Sequence, residues 1–316
     1  MDNLNTGSSL GIDAVCLMGP TAAGKTALAI DLSRRFPVEI ISVDSAQVYR
    51  GMSIGTGKPS AEELSLAPHH LIDVVEPFQP YSAAEFCRDA IRLIKEIKAR
   101  RRIPLLVGGT MLYFRALKNG LATMPIADKS VRSDITLMAE SEGWNSVHAR
   151  LKEVDPVSAA RIHRNDSQRI QRALEVFIVT GKSMTRLQED GKRVPQPSPS
   201  LSFFSIQPED RSLLHSRIEC RFYKMLEMGL VDEVVSLRER KDLDPTMASM
   251  RVVGYRQIWS YLDKALTYED MVGKSIAATR QLAKRQLTWL RSWNRLNPAC
   301  KDLETALERL SSTLKL

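Results

Sequence analysis

The sequence predicts an α/β protein in which a parallel β-sheet core carries an all-helical insertion. Three observations support this fold class. Continuous apolar runs alternate with amphipathic helical patterns in the first third of the chain, strand patterns are then lacking from about residue 123 to 195, and one returns at residue 201. Continuous apolar runs are typical of strands that lie buried between two layers of helices in a parallel sheet.

The first part of the chain predicts the order strand, helix, strand, helix, strand. The predicted strands cover 13–18, 38–44 and 103–107, and the predicted helices cover 26–35 and 82–102. The second helix is amphipathic, because its apolar residues recur at helical spacing on one face. Strands that alternate with helices in this way predict a parallel sheet covered by helices.

The middle of the chain predicts helices alone. They cover 131–139, 145–154 and 167–180, and Gly181 follows the last helix at a position that favours a helix C-terminus. A segment rich in Pro and Ser, 190–200, then predicts a connector. We therefore expect a helical insertion domain in this part of the chain.

The last part of the chain returns to the core. A strand is predicted at 201–206, and helices are predicted at 211–228 and 275–293. The predicted domains are therefore a core of 12–122 together with 199–316, and an insertion of 123–198.

The composition is that of a basic globular protein. The 316 residues are 43% hydrophobic and 26% charged, with a formal net charge of +8. No run of about 18 apolar residues is found, so we expect no membrane span. The first dozen residues resemble a disordered lead-in rather than a signal peptide, so we expect a cytoplasmic protein. The positive charge favours a polyanionic partner, although it is weak evidence alone.

Neither a zinc site nor a redox motif is indicated. His69 and His70 have no partner at metal-ligand spacing, and we interpret them as structural. The cysteines are far apart and form no C-x-x-C pair: Cys16, Cys87, Cys220 and Cys300.

A phosphate-binding motif follows the first predicted strand. The segment GPTAAGKT satisfies G-x-x-x-x-G-K-[ST] between an apolar strand and a helix. Its backbone N–H groups can surround phosphate oxygens, Lys25 can neutralise them, and the Thr26 hydroxyl can hold Mg²⁺. We therefore predict a P-loop NTPase-like core with a polyphosphate site and Thr26 as the metal ligand. The predicted phosphate-binding residues are Gly19, Pro20, Thr21, Ala22, Ala23, Gly24, Lys25 and Thr26.

The ligand of this P-loop need not be ATP. The nearest candidate for a Walker B strand, 38–44, continues directly into SAQVYRG, which has the character of a substrate loop. The carboxyl ends of strands in an open parallel sheet face the ligand crevice, so we expect Asp44 and Thr110 near the phosphates. By position alone, Asp44 is a metal ligand, a general base or a loop cap.

Ordered sequence blocks carry a more specific resemblance. They are GPTAAGKT, SVDSAQVYRGMSIGTGKP, PHHLIDVVEP, IPLLVGGTMLYFRAL, NDSQRIQRALEVF, RVVGYRQIWSYL and AATRQLAKRQLTWLRSW. In this order they resemble the landmarks of bacterial-type tRNA dimethylallyltransferases, from about residue 14 to 293. Two positions depart from the family pattern, Ser167 in place of Pro and Gly57 in place of Ala, and neither removes a group that carries chemistry.

The resemblance implies transfer of a dimethylallyl group from dimethylallyl diphosphate to N6 of adenosine 37 in tRNA, with release of diphosphate. It implies that Asp44 is the base near N6 and that Thr110 and Arg221 complete the catalytic set, with Mg²⁺ as cofactor. The exocyclic amine is a poor nucleophile, so a base and a stabilised leaving group are both needed. Arg217 lies one helical turn before Arg221 and is a weaker candidate for the same anion.

The resemblance also implies binding of the tRNA anticodon stem-loop, partly by the insertion. Tyr255 is a candidate stacking platform for a base. For the basic helix near the C-terminus we expect contacts to the RNA backbone, with Trp289 and Trp293 packed in the core. We expect a monomer. The implied tRNA contacts are Asp44, Ser45, Ala46, Gln47, Thr110, Arg132, Gln168, Arg169, Ile170, Gln171, Arg172, Arg251, Val252, Val253, Gly254, Tyr255 and Arg256.

Three alternatives stay open at this point. A P-loop kinase of a small molecule shares the fold but needs neither the helical insertion nor the QRIQR segment. An adenylate isopentenyltransferase uses AMP as the acceptor and needs no extended basic surface. An RNA-binding protein with a regulatory P-loop needs no carboxylate beside the phosphates. Release of diphosphate rather than ADP distinguishes a transferase from a kinase.

Overall fold

The computed structural model describes residues 11–192, 198–293 and 299–314. Within these residues, six strands form one sheet, and every neighbouring pair is parallel. In chain order the strands are β1 (Ala14–Met18), β2 (Val38–Val43), β3 (His69–His70), β4 (Ile103–Gly108), β5 (Leu201–Ile206) and β6 (Ala299–Cys300). Their order across the sheet is β3-β2-β4-β1-β5-β6, which confirms the predicted parallel α/β core.

Helices account for most of the remaining described residues. None of them is long and apolar enough to cross a bilayer, as far as the described residues go. In chain order they are α1 (Lys25–Arg35), α2 (Ala61–Leu66), α3 (Ala83–Ala99), α4 (Met111–Asn119), α5 (Lys129–Glu142), α6 (Trp144–Val154), α7 (Pro156–Arg161), α8 (Ser167–Thr180), α9 (Met184–Lys192), α10 (Arg211–Glu227), α11 (Leu230–Arg238), α12 (Tyr255–Leu262), α13 (Tyr268–Ser292) and α14 (Leu303–Leu314).

Backbone contacts divide the chain into two compact units. The first unit, Met1–Lys118 with Pro199–Leu316, contains the whole sheet. The second unit, Asn119–Ser198, contains helices and no strand in its described part, and we call it the helical unit. Its core forms where α5, α6 and α8 meet, around Ile135, Leu151 and other fully buried apolar side chains.

Strand β1 explains why the sheet is buried on both faces. Cys16 and Met18 belong to one apolar cluster, whereas Val15 and Leu17 belong to another. Successive side chains of a strand point to opposite faces, so these clusters lie on the two sides of the sheet. All residues of β1 are buried, and the strand pairs with β4 on one side and β5 on the other.

The carboxyl ends of the central strands lie next to one another. Gly108 of β4 is paired with Met18 of β1 and with Val43 of β2. A Cβ atom at Gly108 would lie only 2.1 Å from the Val43 carbonyl oxygen, so this approach requires glycine. The three segments that follow these strands therefore start from one edge of the sheet.

Most predicted elements are confirmed, with ends that shift by a few residues. The largest shift is in α13, which begins at Tyr268 rather than at 275, because the Thr267 side chain caps it by accepting from the Asp270 N–H. The strands β3 and β6 were not predicted, since two residues carry no recognisable pattern. The predicted N-terminal lead-in lies largely outside the described residues, as do residues 193–197 of the predicted connector, whereas residues 190–192 end α9.

Candidate active site

The P-loop connects β1 to α1 and has the backbone of an anion cradle. Ala22 and Gly24 both have left-handed backbone angles, with φ of 62° and 87°. Gly24 caps α1 without any side-chain hydrogen bond to the first turn. Among the described residues no side chain is hydrogen-bonded to the first amides of the helix, and unpaired amides at a helix start bind phosphate in other P-loops.

Lys25 is folded over this loop. Its Nζ donates to the Pro20 carbonyl oxygen at 2.7 Å. Loss of solvation lowers the pKa of Lys25 to about 8; the nearby Arg221 adds to this lowering, and Asp44 opposes it. An anion bound in the loop would reverse the lowering, so the ammonium group is arranged to bind one.

Asp44 follows β2 and has one oxygen held in place. Its Oδ1 accepts from the N–H groups of Ala46, at 2.8 Å, and Gln47, at 3.4 Å. Its Oδ2 has no hydrogen-bond partner among the described residues. Asp44 lines the same cavity as Lys25 and Thr26. One oxygen thus orients the carboxylate while the other is available to a ligand.

Thr110 and Gln47 support the loop that carries Asp44. The Thr110 Oγ1 accepts from the Ser45 N–H at 3.0 Å. The Gln47 side chain accepts from the Ser42 hydroxyl at 2.9 Å and donates to the Gly57 carbonyl oxygen at 3.1 Å. Both side chains therefore have structural partners within the site.

Arg221 extends from α10 into the cavity. Its Nη1 lies 3.5 Å from the Thr21 Oγ1, and burial lowers the pKa of Arg221 while Asp44 opposes this. Gly57 has a φ of 60°, and a Cβ there would lie 1.9 Å from the Arg221 Nη2. Arg217 lines a second space of about 290 Å³ beside the P-loop, together with Arg221.

The main cavity combines a charged end with an apolar wall. Its volume is about 180 Å³. P-loop residues, Asp44 and Arg221 supply the charged groups. The apolar wall is formed by Val107, Ile218, Phe222, Met225, Leu230, Val252, Val253 and Leu282. A ligand with a charged diphosphate and a short hydrocarbon group matches this division.

Two residues of the site were not found from the sequence. Glu233 accepts from the backbone N–H groups of three consecutive residues, Ser53 to Gly55, at 2.8 to 3.2 Å, and from the Tyr255 hydroxyl at 2.5 Å. Gln286 binds the backbone of two loops of the site. No local sequence signal marks either residue, because every partner is distant in the chain.

The interpretation of Tyr255 as a stacking platform is wrong. Its side chain is 0% exposed, and its hydroxyl donates to Glu233. The ring packs so closely on Gly55 that a Cβ there would lie 2.5 Å from it. In the same predicted segment, Arg251 and Arg256 are exposed, while Val252, Val253 and Gly254 line the cavity.

Two of the predicted tRNA contacts of the helical unit lie against the fully buried Glu175. Arg132 and Arg172 both pair with this carboxylate, at 2.8 Å and 2.6 Å. Gln171 donates to the Arg132 carbonyl oxygen at 3.0 Å. Ile170 is fully buried, whereas Gln168 and Arg169 are exposed.

The remaining predicted residues are held within the first unit. Trp289 and Trp293 pack against its core, which confirms the core interpretation, and Arg115 and Lys118 lie over their rings. His69 and His70 are hydrogen-bonded to Ala67 and Glu39, as expected of structural residues. On α13, the basic helix for which RNA contacts were expected, Arg280 pairs with Glu219 at 2.7 Å.

Comparisons with protein families agree with this geometry. Residues 47–293 match the family model described as IPP transferase. Residues 12–74, which include the P-loop and Asp44, also match the model described as isopentenyl transferase. The chain is 60% identical over 279 residues to a tRNA dimethylallyltransferase of Paraburkholderia xenovorans, which covers 88% of this chain and 89% of the relative.

Solved structures show the same fold. The tRNA isopentenylpyrophosphate transferase of Bacillus halodurans is 36% identical, covers 96% of each chain and has a TM-score of 0.65. A eukaryotic dimethylallyltransferase that acts on tRNA is 28% identical, covers 88% of this chain and 69% of its own, and has a TM-score of 0.72. The chain therefore belongs to the IPP transferase family and is an enzyme with tRNA dimethylallyltransferase activity.

Proposed function

We propose that this cavity transfers a dimethylallyl group from dimethylallyl diphosphate to N6 of adenosine 37 in tRNA. The supporting observation is that a phosphate cradle, a carboxylate with one unpartnered oxygen and an apolar wall line a single cavity. The three parts correspond to a diphosphate, an amine that must lose a proton, and a five-carbon chain.

The diphosphate occupies the P-loop in this proposal. The amides at the start of α1 donate to it, and Lys25 and Arg221 neutralise it. Neither cation forms an ion pair with a carboxylate among the described residues, so both are available to the ligand. Arg217 lies beside the same loop and supports the outer side of the anion.

The residues present fit Mg²⁺. The Thr26 hydroxyl supplies a hard oxygen ligand in the cavity, next to the P-loop amides and Lys25. Mg²⁺ typically takes few protein ligands and completes its shell with substrate phosphates and water. Bound there, it would add positive charge at the diphosphate as the leaving group departs.

In the transfer, each bond that breaks is matched by a bond that forms. The bond between the allylic carbon and the diphosphate oxygen breaks, and its electron pair leaves with the diphosphate. The N6 lone pair forms the new bond to that carbon, and Asp44 accepts the N6 proton. Thr110 holds the Ser45 amide and so positions the loop that carries Asp44.

We propose that the helical unit is an insertion domain that contacts the anticodon stem-loop, and that adenosine 37 leaves its stack to reach the cavity. Exposed side chains suited to phosphates or splayed bases include Arg169, Arg251 and Arg256. One chain carries every group named above, so we propose a monomer that acts on tRNA in the cytoplasm.

The second candidate is an adenylate isopentenyltransferase. It is favoured by the match of residues 12–74 to the isopentenyl transferase model, which covers the P-loop and Asp44. These two activities share the prenyl donor and differ in the acceptor. The acceptor is therefore what an assay must vary.

The test uses purified protein with Mg²⁺, dimethylallyl diphosphate and an unmodified tRNA with adenosines at 36 to 38. Nucleoside mass spectrometry then measures isopentenyladenosine, with AMP as a competing acceptor and ATP as a competing donor. We expect product on tRNA, release of diphosphate and a severe loss in Asp44→Ala. Product on AMP alone would support the second candidate, and phosphate transfer from ATP would support a kinase.

A further inference from the structure

Gln286 lies on α13 and joins two loops that are far apart in sequence. Its Oε1 accepts from the Thr21 backbone N–H at 2.9 Å, and its Nε2 donates to the Gly109 carbonyl oxygen at 2.9 Å. Thr21 belongs to the P-loop, and Gly109 follows β4 directly before Thr110. One side chain therefore spans from the phosphate cradle to the neighbouring loop.

The connection continues to the loop of the proposed base. The Thr110 Oγ1 accepts from the Ser45 N–H at 3.0 Å, and Ser45 directly follows Asp44. The Thr110 N–H itself donates to the Val43 carbonyl oxygen at 3.2 Å. Hydrogen bonds thus lead from the P-loop through Gln286 to Gly109, and from its chain neighbour Thr110 to Ser45, the chain neighbour of Asp44.

Only an amide side chain satisfies both partners of Gln286. The Thr21 N–H requires an acceptor, and the Gly109 carbonyl requires a donor. Glutamate offers acceptors alone, and alanine offers neither. The two partners also define the orientation of the amide, with Nε2 toward Gly109.

Gly109 provides independent support for this contact. Its φ is not positive, so its backbone conformation does not require glycine. A Cβ at this position would nevertheless lie 2.4 Å from the Gln286 Nε2. The contact with Gln286 is therefore the tighter of two that favour glycine here, the other being 3.3 Å to the Gly19 carbonyl oxygen.

We propose that Gln286 is a positioning residue that sets the distance between the leaving diphosphate and Asp44. The proposal rests on the proposed roles of the P-loop and Asp44. Both polar atoms of the side chain are engaged with protein backbone, so its effect acts through the two loops rather than through contact with RNA. Misplacing reacting groups by about 1 Å can reduce the rate about a hundredfold.

The experiment measures kcat, both KM values and the melting temperature for Gln286→Ala and Gln286→Glu. We expect kcat to fall about tenfold to about a hundredfold, with the KM for tRNA and the melting temperature nearly unchanged. Gln281→Ala is the matched control, because Gln281 is an exposed glutamine on the same helix. We expect the control to keep the native kcat.

A double-mutant cycle tests the contact itself. Gly109→Ala displaces the amide without altering Gln286, so we expect it to lower kcat in the native background. In the Gln286→Ala background the 2.4 Å contact is absent and only the milder 3.3 Å contact with the Gly19 carbonyl oxygen remains, so we expect a clearly smaller further loss from Gly109→Ala. Additive effects of the two substitutions would overturn the proposal.

Two further outcomes would overturn it. If Gln286→Ala keeps the native kcat, the hydrogen bonds of Gln286 do not set the distance between the leaving diphosphate and Asp44. If it raises the KM for tRNA with kcat unchanged, Gln286 is an RNA contact. Should Gln286→Ala fail to fold, Gln286→Glu and Gly109→Ala carry the same test. If Asp44 is not the base, Asp44→Ala keeps full activity. This outcome distinguishes a failure of the role proposed for Asp44 from a failure of the role proposed for Gln286.

Discussion

Two pairs of basic side chains, Lys25 with Arg221 in the first unit and Arg132 with Arg172 in the helical unit, have opposite environments. In the first unit, Lys25 and Arg221 are partly buried, and neither has a carboxylate ion-pair partner among the described residues. In the helical unit, Arg132 and Arg172 are also partly buried, but both pair with Glu175. Lys25 and Arg221 therefore lack a counter-ion among the described residues, whereas Arg132 and Arg172 already have one.

The pKa shifts reflect this difference. The pKa values of Lys25 and Arg221 are both lowered, mainly by burial. Burial acts to raise the pKa of Glu175, but hydrogen bonds from Arg132 and Arg172 hold it below its usual value. An unpartnered cation that is withdrawn from water marks a site for an anionic ligand, whereas a satisfied pair stabilises the fold. The comparison thus separates a binding site from a structural cluster.

The largest effect is expected from Lys25→Met. It removes a charge that acts on the leaving diphosphate, so we expect product formation to fall about a hundredfold to about a thousandfold. The free energy of unfolding should not fall, because the substitution removes a charge that is poorly solvated in the folded protein. Steady-state kinetics and thermal denaturation measure the two quantities. A loss of activity that is matched by a loss of stability would contradict this account.

The reverse outcome is expected from Glu175→Gln. The substitution leaves Arg132 and Arg172 without their counter-ion, so we expect the free energy of unfolding to fall by about 2 kcal/mol. This loss is smaller than that for a fully buried pair, because both arginines are partly exposed. Urea denaturation measures this, and diphosphate affinity should stay native. Glu142→Gln is the control, since Glu142 is exposed and pairs only with Arg150 in an exposed ion pair.

A pH titration of diphosphate affinity sharpens the comparison. Lys25 in the ligand-free protein is charged below its pKa of about 8 and loses its charge above it. A bound anion raises that pKa, so affinity should be constant below pH 8 and fall by up to about tenfold per pH unit above it. Calorimetry with Lys25→Arg as control should show no such fall, because arginine stays charged. An equal fall in both proteins would exclude Lys25 as its cause.

The smallest effect is expected from Glu233→Gln. This carboxylate binds three amides and a hydroxyl rather than cations, so the substitution leaves no unpaired charge. One oxygen acceptor remains, and we expect kcat to fall about threefold to about tenfold as the loop of Ser53 to Gly55 loosens. Kinetics at saturating substrates measure the change. A loss larger than that of Lys25→Met would reverse the order proposed here.

Much of the fold and part of the site could be predicted from the sequence. The P-loop is local, and the central strands are continuous apolar runs, so short-range patterns reveal both. Gln286 could not be found in this way, because Thr21 lies 265 residues before it. Tyr255 was misinterpreted for the same reason, since its burial depends on Glu233 and Gly55, which no local pattern places beside it.

The central claim is that the unpartnered cations of the first unit form the diphosphate site. Its most direct test is calorimetric titration of dimethylallyl diphosphate, with Mg²⁺, into the native protein, Arg221→Met and Arg172→Met. We expect one site in the native protein, an affinity at least about tenfold lower in Arg221→Met, and a native affinity in Arg172→Met. Equal affinities in all three proteins, or a loss confined to Arg172→Met, would contradict the claim.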